Sequence, residues 1–318
     1  MSKRILYIRE NLKGGTDNYC KALYHLFKDD NELCPLPVTD IPAIHSRLFH
    51  YYYRNDELKA AIREADIVHI NGYTALGSVQ AMRLAHQMNK RIVYTAHWHP
   101  FRCLRHPALG ELFFRMVFLP MIKRYANVVT AINQEDYQFF SSFHHHVVQI
   151  PHWYQPLSIQ PVAKKPDMVL FVGRTDDPVK GIEHLYQLPE GQYEVHCVGK
   201  GSVARKDFHQ HIGISDAELA RLYAEASLVV VPSKYEAFSY AALEAMSYGT
   251  PVLMSERVRI ADYLQGIKGY QVFRYGDMHD FLTKLPQTIG SVVDSDKVRQ
   301  IFNPATIRHR YRSIYLNI

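Results

Sequence analysis

Residues 226–255 read ASLVVVPSKYEAFSYAALEAMSYGTPVLMS, and the fold is decided there. The β-branched run Ala226 to Val231, ended by Pro232, has the composition of a buried strand leaving a sheet. Ser239 offers an N-cap hydroxyl, and Tyr240 to Tyr248 can continue as a helix for about two and a half turns. Gly249 and Pro251 stop it, and Val252 to Ser255 resume as a strand. The unit is strand, loop, helix, strand. It puts Glu236 in the loop and Glu244 about a turn and a half into the helix. A helix that starts at the C-terminal edge of a parallel sheet presents free backbone N–H groups, a place where a diphosphate fits. The two carboxylates can then accept hydroxyls on either side of it, the layout of a sugar nucleotide. An isolated pair of glutamates at this spacing is equally a solvated surface helix, so the rest of the chain has to decide.

Outward from this stretch the same alternation occurs twice. Strands are expected at Arg4–Ile8, Asp66–Ile70, Arg91–Ala96, Asn127–Ile132 and Val147–Ile150, with helices near 17–28, 55–65, 75–89, 108–125 and 134–142. A second series follows at Met168–Val172, Tyr193–Val198, Leu228–Pro232, Val252–Ser255 and Gly269–Phe273, with helices near 180–187, 215–226, 239–248, 258–264 and 277–285. Two βα series imply an α/β chain of two Rossmann-like, doubly wound parallel sheets. Between them, residues 151–166 carry four prolines and no period, the mark of a linker. The expected division is 1–155, 156–302 and a terminal helix over 303–318 that crosses back to the first domain, with a cleft between the two domains.

The chain has 318 residues, 47% hydrophobic, ample for two such domains. Its net charge of +6 suits an anionic ligand, nucleic acid or an anionic membrane surface. No aromatic-and-basic nucleic-acid motif is present, so no nucleic-acid partner is expected. The four cysteines, at 20, 34, 103 and 197, lack C-x-x-C spacing, which argues against a zinc site or a disulfide framework. Ile5 to Ile8 is too short an apolar run for a signal peptide, and no run approaches the roughly 20 residues of a membrane span. A cytoplasmic protein is expected, at most peripheral on the inner face of a membrane. Ala108 to Arg124 has the mixed composition of an interfacial helix or of a core helix with snorkelling ends.

The second half supplies cations for the diphosphate. After its first strand comes FVGRTDDPVKG, residues 171–181, where Gly173 permits the turn and Arg174 and Lys180 bring a planar fork and a point charge to the sheet edge. VGKGS, residues 198–202, is a second tight turn on that edge. Neither is a P-loop nor a G-x-G-x-x-G fingerprint.

As an ordered set, FVGR-x5-KG, VGKGS, HIGISDAEL (residues 211–219) and PSKYEAFSYAALEAMSYGTPV (residues 232–252) resemble the C-terminal domain of the retaining GT-B glycosyltransferases of family four, glycosyl transferases group 1. The resemblance is dense over residues 168–273 and looser before them. It implies a GT-B architecture and assigns Arg174 and Lys180 to the donor diphosphate, Glu244 to the ribose diol and Glu236 to hydroxyls of the transferred sugar. Gly173, Phe238 and the amides of Ser239 and Tyr240 would line the phosphate, Ile212 would flank the base, and Gly14 and Gly15 would lie beside diphosphate and acceptor. His97 would stand near the reacting sugar, although His99 is an alternative. With His97, Glu236, Arg174 and Lys180 as the catalytic set, a front-face transfer with retention needs no protein base, no cofactor and no metal, in keeping with the lack of an Asp-x-Asp motif.

The implied function is transfer of a hexose-type sugar from a nucleoside-diphosphate sugar to a saccharide or lipid-linked saccharide in surface-glycan synthesis, with anionic membrane as an occasional contact. A sugar-nucleotide epimerase and a non-catalytic nucleotide-sugar binder are the alternatives; a phosphorylase would need a much longer chain. Ala237 and Ser239 stand where the family often has glycine, which bears on the sugar selected. His144-His145-His146 is read as a surface loop, since adjacent residues point apart and no acid stands at ligand spacing. Arg308, Arg310 and Arg312 are read as a basic helix face.

Overall fold

The computed structural model describes residues 2–9, 15–37, 43–46, 50–72, 76–97 and 107–318. The chain divides into two compact units, Met1–Pro151 with Pro304–Ile318, and His152–Asn303.

The first unit is built on β1 (Lys3–Ile8), α1 (Gly15–Phe27), β2 (Leu33–Pro35), the strand pair β3 (Ala43–Ser46) and β4 (His50–Tyr53), α2 (Asn55–Glu64), β5 (Ile67–Asn71), α3 (Leu76–Gln87) and β6 (Arg91–Ala96). It continues through α4 (Pro107–Phe113), a π-helical turn (Phe114–Phe118), α5 (Leu119–Tyr125), β7 (Val128–Ala131), α6 (Gln134–Ser141) and β8 (Val147–Gln149). Its six-stranded sheet runs β2-β1-β5-β6-β7-β8, every pair parallel. The central strands are buried on both faces and are mostly apolar for that reason, with His69, Asn71 and Thr95 as buried polar exceptions in IVHIN and RIVYTA. The helix expected over 108–125 is present as one helical stretch, with a π-helical turn inside it. Pro120 has no N–H to give the ladder, and just before it the Leu119 amide reaches Phe114 O in a wider turn.

The second unit contains β9 (Lys165–Val172), a 3₁₀ turn (Ile182–Gln187), β10 (Glu194–Val198), β11 (His209–His211), α7 (Asp216–Glu225), β12 (Ala226–Val231), α8 (Tyr240–Ser247), β13 (Val252–Ser255), a 3₁₀ turn (Arg259–Tyr263), β14 (Tyr270–Phe273), α9 (Met278–Thr288) and α10 (Ser295–Ile301). Its parallel sheet runs β11-β10-β9-β12-β13-β14. Counted from β9 this is the order 3-2-1-4-5-6, which reverses between β9 and β12, and ligands of open α/β sheets bind at such a reversal. The loops after these two strands are the ones that carry Arg174, Lys180 and Glu236.

Several expectations change. The short strands β2 and β11, the β3–β4 pair and α10 have too little periodicity to stand out in the sequence. The helices expected at 180–187 and 258–264 are 3₁₀ turns. The proline-rich stretch after Pro151 has no regular structure but is not a loose hinge: the Leu157 amide donates to Tyr248 Oη at 2.8 Å, and Lys164 Nζ donates to Ala226 O at 2.9 Å. The last helix, α11 (Pro304–Asn317), belongs to the first unit and buries Ile307, Tyr311, Ile314 and Tyr315. Its arginines do not form a free basic face. Arg308 and Arg312 pair with the buried Asp30, Arg312 also with Glu32, and Arg310 donates to Gln149 O. His144 turns inward rather than lying on a surface loop, with its ring nitrogens at 3.1 Å from His146 O and Ala126 O.

Candidate functional site

The loop between β12 and α8 is fixed by backbone and side chain together. The Lys234 amide donates to Val179 O at 2.7 Å, and Ser255 Oγ donates to Ser233 O at 2.6 Å. Glu236 pairs in β fashion with the segment around Val258, its amide donating to Arg257 O at 3.1 Å and its carbonyl accepting from the Arg259 amide at 2.9 Å. Glu236 is thus held on a short added strand. Its carboxylate takes Lys180 Nζ at 2.5 Å and Ser233 Oγ at 3.2 Å. The sequence kept Lys180 and Glu236 far apart; the reversal of strand order brings them into contact. An ammonium has three N–H donors, so one carboxylate does not saturate Lys180.

Gly181 explains why the lysine is followed by glycine. Its φ is +71°, and a Cβ there would stand 2.0 Å from Pro232 O. Only a bare α-carbon lets the loop after β9 lie against the end of β12 and deliver Lys180 to Glu236. Gly173, expected to ease the turn, has an ordinary φ, and a Cβ there would meet only side-chain carbons of Lys180 and Phe171 at 3.4–3.5 Å. The glycine that this edge requires is Gly199, whose φ is +147° and whose Cβ would fall 2.1 Å from Gly173 O. There the two loops lie backbone on backbone, with Gly173 N donating to Val198 O at 2.9 Å and Thr175 N to Lys200 O at 2.8 Å.

Arg174 reaches out from this edge, 65% exposed, and is held by Asp177, a partner that sequence reading did not single out. Against the burial that would raise it, the Val179 amide and the Arg174 guanidinium keep the Asp177 carboxyl below its ordinary value. Asp177 therefore remains an anion that orients the fork.

Helix α8 starts where it should. Ser239 Oγ accepts the Ala242 amide at 3.3 Å, and the first N–H groups of the helix lie at the C-terminal edge of the sheet. Phe238 is buried against His152, with ring centroids 5.1 Å apart, and Tyr240 stacks on the same imidazole at 5.1 Å and 25°. Burial pushes His152 down to about 3, so it is a neutral wedge under the helix start. Nothing in the sequence distinguished it among eighteen histidines.

Glu244 lies a turn further on, in a pocket of about 240 Å³ lined by Tyr154, Gln155, Leu157, Asp216, Leu219, Ala220 and Tyr223. Burial, with the Asp216 charge adding and Tyr223 opposing, raises its carboxyl to about 7. The Tyr223 hydroxyl is buried, without a hydrogen bond of normal length, and senses the same carboxyl electrostatically. The two glutamates therefore differ in kind: Glu236 is half of an ion pair, and Glu244 is a titratable acid in a polar pocket. Ile212, on the turn after β11, is 58% exposed.

In the first unit His97 follows β6, half-buried, its ring edge against Tyr19 at 4.5 Å. Its Nε2 lies 3.0 Å from Asn71 Oδ1, and Asn71 Nδ2 donates to Ile8 O and His69 O, which fixes the amide. With the Asn71 amide so oriented, Oδ1 is the acceptor and the His97 Nε2–H the donor. Gly15 opens α1, whereas Gly14 and His99 lie outside the described residues.

Two Rossmann-like units with parallel sheets define a class of fold, the GT-B architecture. The Anabaena protein HepE, solved with UDP and glucose, superposes with a TM-score of 0.72 at 15% identity over 99% of this chain and 100% of its own. Sucrose-phosphate synthase from Thermosynechococcus elongatus does so at 0.71 and 17%, over 99% and 98%. At those identities the likeness is one of fold, the GT-B fold. Sequence adds to this: residues 166–290 match Glycosyl transferases group 1, so the second unit carries that family's domain. Among curated relatives, the MMP alpha-(1->4)-mannosyltransferase of Mycolicibacterium hassiacum is 34% identical over 104 residues, 27% of this chain and 25% of that protein. The lipopolysaccharide 1,6-galactosyltransferase of Salmonella typhimurium is 27% identical over 188 residues, 51% of each. The matches thus span from about a quarter to about half of these relatives' length.

Proposed function

We propose that the protein is a retaining, metal-independent hexosyltransferase that moves a sugar from a nucleoside-diphosphate sugar to a saccharide or lipid-linked saccharide acceptor in surface-glycan synthesis. The single observation that carries this reading is the Lys180–Glu236 contact beside the start of α8, at the reversal of strand order in a group 1 domain. A cation, a fixed carboxylate and the amides of a helix start meet there, a set complementary to the anionic diphosphate and the hydroxyls of a sugar nucleotide.

In this reading Lys180, Arg174 and the amides of Ser239 and Tyr240 stabilise charge as it develops on the leaving diphosphate. Glu236 holds sugar hydroxyls, Glu244 the ribose diol within its pocket, and Ile212 the base. His97 lies by the transferred sugar, and a diphosphate oxygen takes the acceptor proton. The named relatives, a mannosyl- and a galactosyltransferase, support a hexose. They leave base, sugar and acceptor to experiment. Contact with anionic membrane, which the arginines of α11 do not favour, would come through Leu112, Phe113 and Met116, exposed around Arg115.

A thermal-shift screen against sugar nucleotides and nucleoside diphosphates tests the reading, with Lys180→Ala alongside. One nucleotide series should stabilise the protein, and the variant should lose that shift at an unchanged unliganded melting temperature. A full shift retained in Lys180→Ala would refute the diphosphate site.

A further inference from the structure

A second cluster lies on the outer strands of the same sheet, at the opposite end of those strands. Glu194 and His196 alternate on β10, and His209 and His211 alternate on the edge strand β11. The register pairs His196 with His209 and Val198 with His211, so all four side chains share one face. Glu194 stands at the start of β10, whereas the VGKGS turn leaves its other end.

The ligand atoms of Glu194, His196 and His209 all lie within 4.8 Å of one another. His196 Nε2 is 2.8 Å from Glu194 Oε1, and His196 Nδ1 is 2.9 Å from His211 Nε2. The rings of His196 and His209 are 4.7 Å apart, those of His196 and His211 5.0 Å apart and nearly parallel. His196 is buried and fixed from both sides, while Glu194 and His209 are exposed and can rotate.

We propose that Glu194, His196 and His209 form a binding site for a divalent transition-metal ion of the zinc type, clipping edge strand β11 to β10. The donor set is two imidazoles and a carboxylate, which suits zinc with a fourth position left to water. Zinc bonds of about 2.0–2.2 Å put tetrahedral ligands about 3.4 Å apart. Closing from 4.8 Å needs only small rotations of the two exposed side chains, with the His196–Glu194 contact opening by about half an ångström. With Nε2 turned to the metal, the His196 ring proton sits on Nδ1 and is donated to His211 Nε2, which makes His211 the positioning residue of the buried ligand.

The nearest competing cation is Lys165, 3.8 Å from Glu194, and it has an alternative partner in Glu225 at 3.7 Å. Two ladder residues farther along, His211 O accepts the Gly199 amide at 3.0 Å, so a stiffer β11 would also steady the VGKGS turn.

Calorimetric titration of the metal-free full-length protein with Zn²⁺ tests the proposal. One ion should bind with low-micromolar or tighter affinity, raise the melting temperature and slow hydrogen exchange at residues 209–211. His209→Ala and Glu194→Gln, both at exposed positions, should keep the metal-free melting temperature and weaken Zn²⁺ at least about tenfold; His211→Ala should weaken it about 10–100-fold, as loss of an orienting partner does. No Zn²⁺ binding, or wild-type affinity in both ligand variants, would overturn the site. So would binding that disappears in His145→Ala, because the ion would then belong to the histidine triplet.

Discussion

Glu236 and Glu244 look equivalent in sequence, and their surroundings make them act oppositely. Glu236 already pairs with Lys180. Glu236→Ala should therefore leave nucleoside diphosphate affinity unchanged or tighter, since it frees the cation, while impairing the intact sugar nucleotide; calorimetry with both ligands reads the difference. Glu244 carries a pH dependence. Its carboxyl sits at about 7 in the folded chain against an ordinary 4.5, so the native state keeps a proton that the unfolded chain has released. Stability from this group is full below about pH 4.5, falls as pH rises to about 7 and is level above, by up to about 3 kcal/mol. Glu244→Gln imitates the protonated acid. Its denaturation midpoint should match the wild type near pH 4.5 and exceed it at pH 8, and a gap that does not open with pH would show that the carboxyl is already ionised in the native protein.

At the scale of elements, the loops decide the site, and glycine decides the loops. Gly181→Ala forces a Cβ into Pro232 O at a left-handed φ, so the loop after β9 must lift off β12 and carry Lys180 away from Glu236. The expected result is a loss of at least about 2 kcal/mol in urea unfolding together with loss of nucleotide-induced stabilisation; Gly249→Ala, also left-handed but meeting nothing within 4 Å, should cost less and spare the ligand. This contrast also marks what the sequence makes legible. The strands at β5, β6, β9, β12 and β13 stand out because burial on both faces leaves them rich in β-branched and apolar residues, and α8 because Ser239 and Gly249 bracket it. The short strands β2 and β11 stand out from nothing: β11 reads HQH, polar at every position, and takes its conformation from β10 alone. The Glu194–His196–His209 cluster was equally invisible, because its signal is a two-residue period split between two short consecutive strands, one of which does not read as a strand. Its trace, E-V-H and H-Q-H, becomes readable only once those strands are known to be neighbours. Lys180 with Glu236 was legible as a set of motifs, but their contact depends on which strands are adjacent.

Across the whole molecule, the chain leaves the first unit after Pro151 and re-enters it at Pro304, so that unit is completed by its last fifteen residues. Helix α11 places Tyr315 Oη 2.7 Å from His69 Nδ1, and His69 Nε2 continues to Thr95 Oγ1 and on to Thr130 at 2.5 Å each, a polar ladder across the central strands. Burial holds His69 at about 3, hence neutral, and it relies on these two hydroxyls. At the other end, Lys3 Nζ donates to the carbonyls of Tyr315, Leu316 and Ile318 at 2.8–3.1 Å, closing the end of α11 with a cation from β1. Tyr315→Phe keeps the ring and removes the hydroxyl, leaving a buried imidazole nitrogen unpaired, a cost of about 1–3 kcal/mol. Truncation after Asn303 removes Ile307, Tyr311, Ile314 and Tyr315 together, more than marginal stability tolerates. Hydrogen exchange on that truncated chain should show protection lost in β1 and β5 and retained in β9, β12 and β13. Protection that persists in β1 would mean that the first sheet folds without α11, and that the helix is an accessory rather than part of the core.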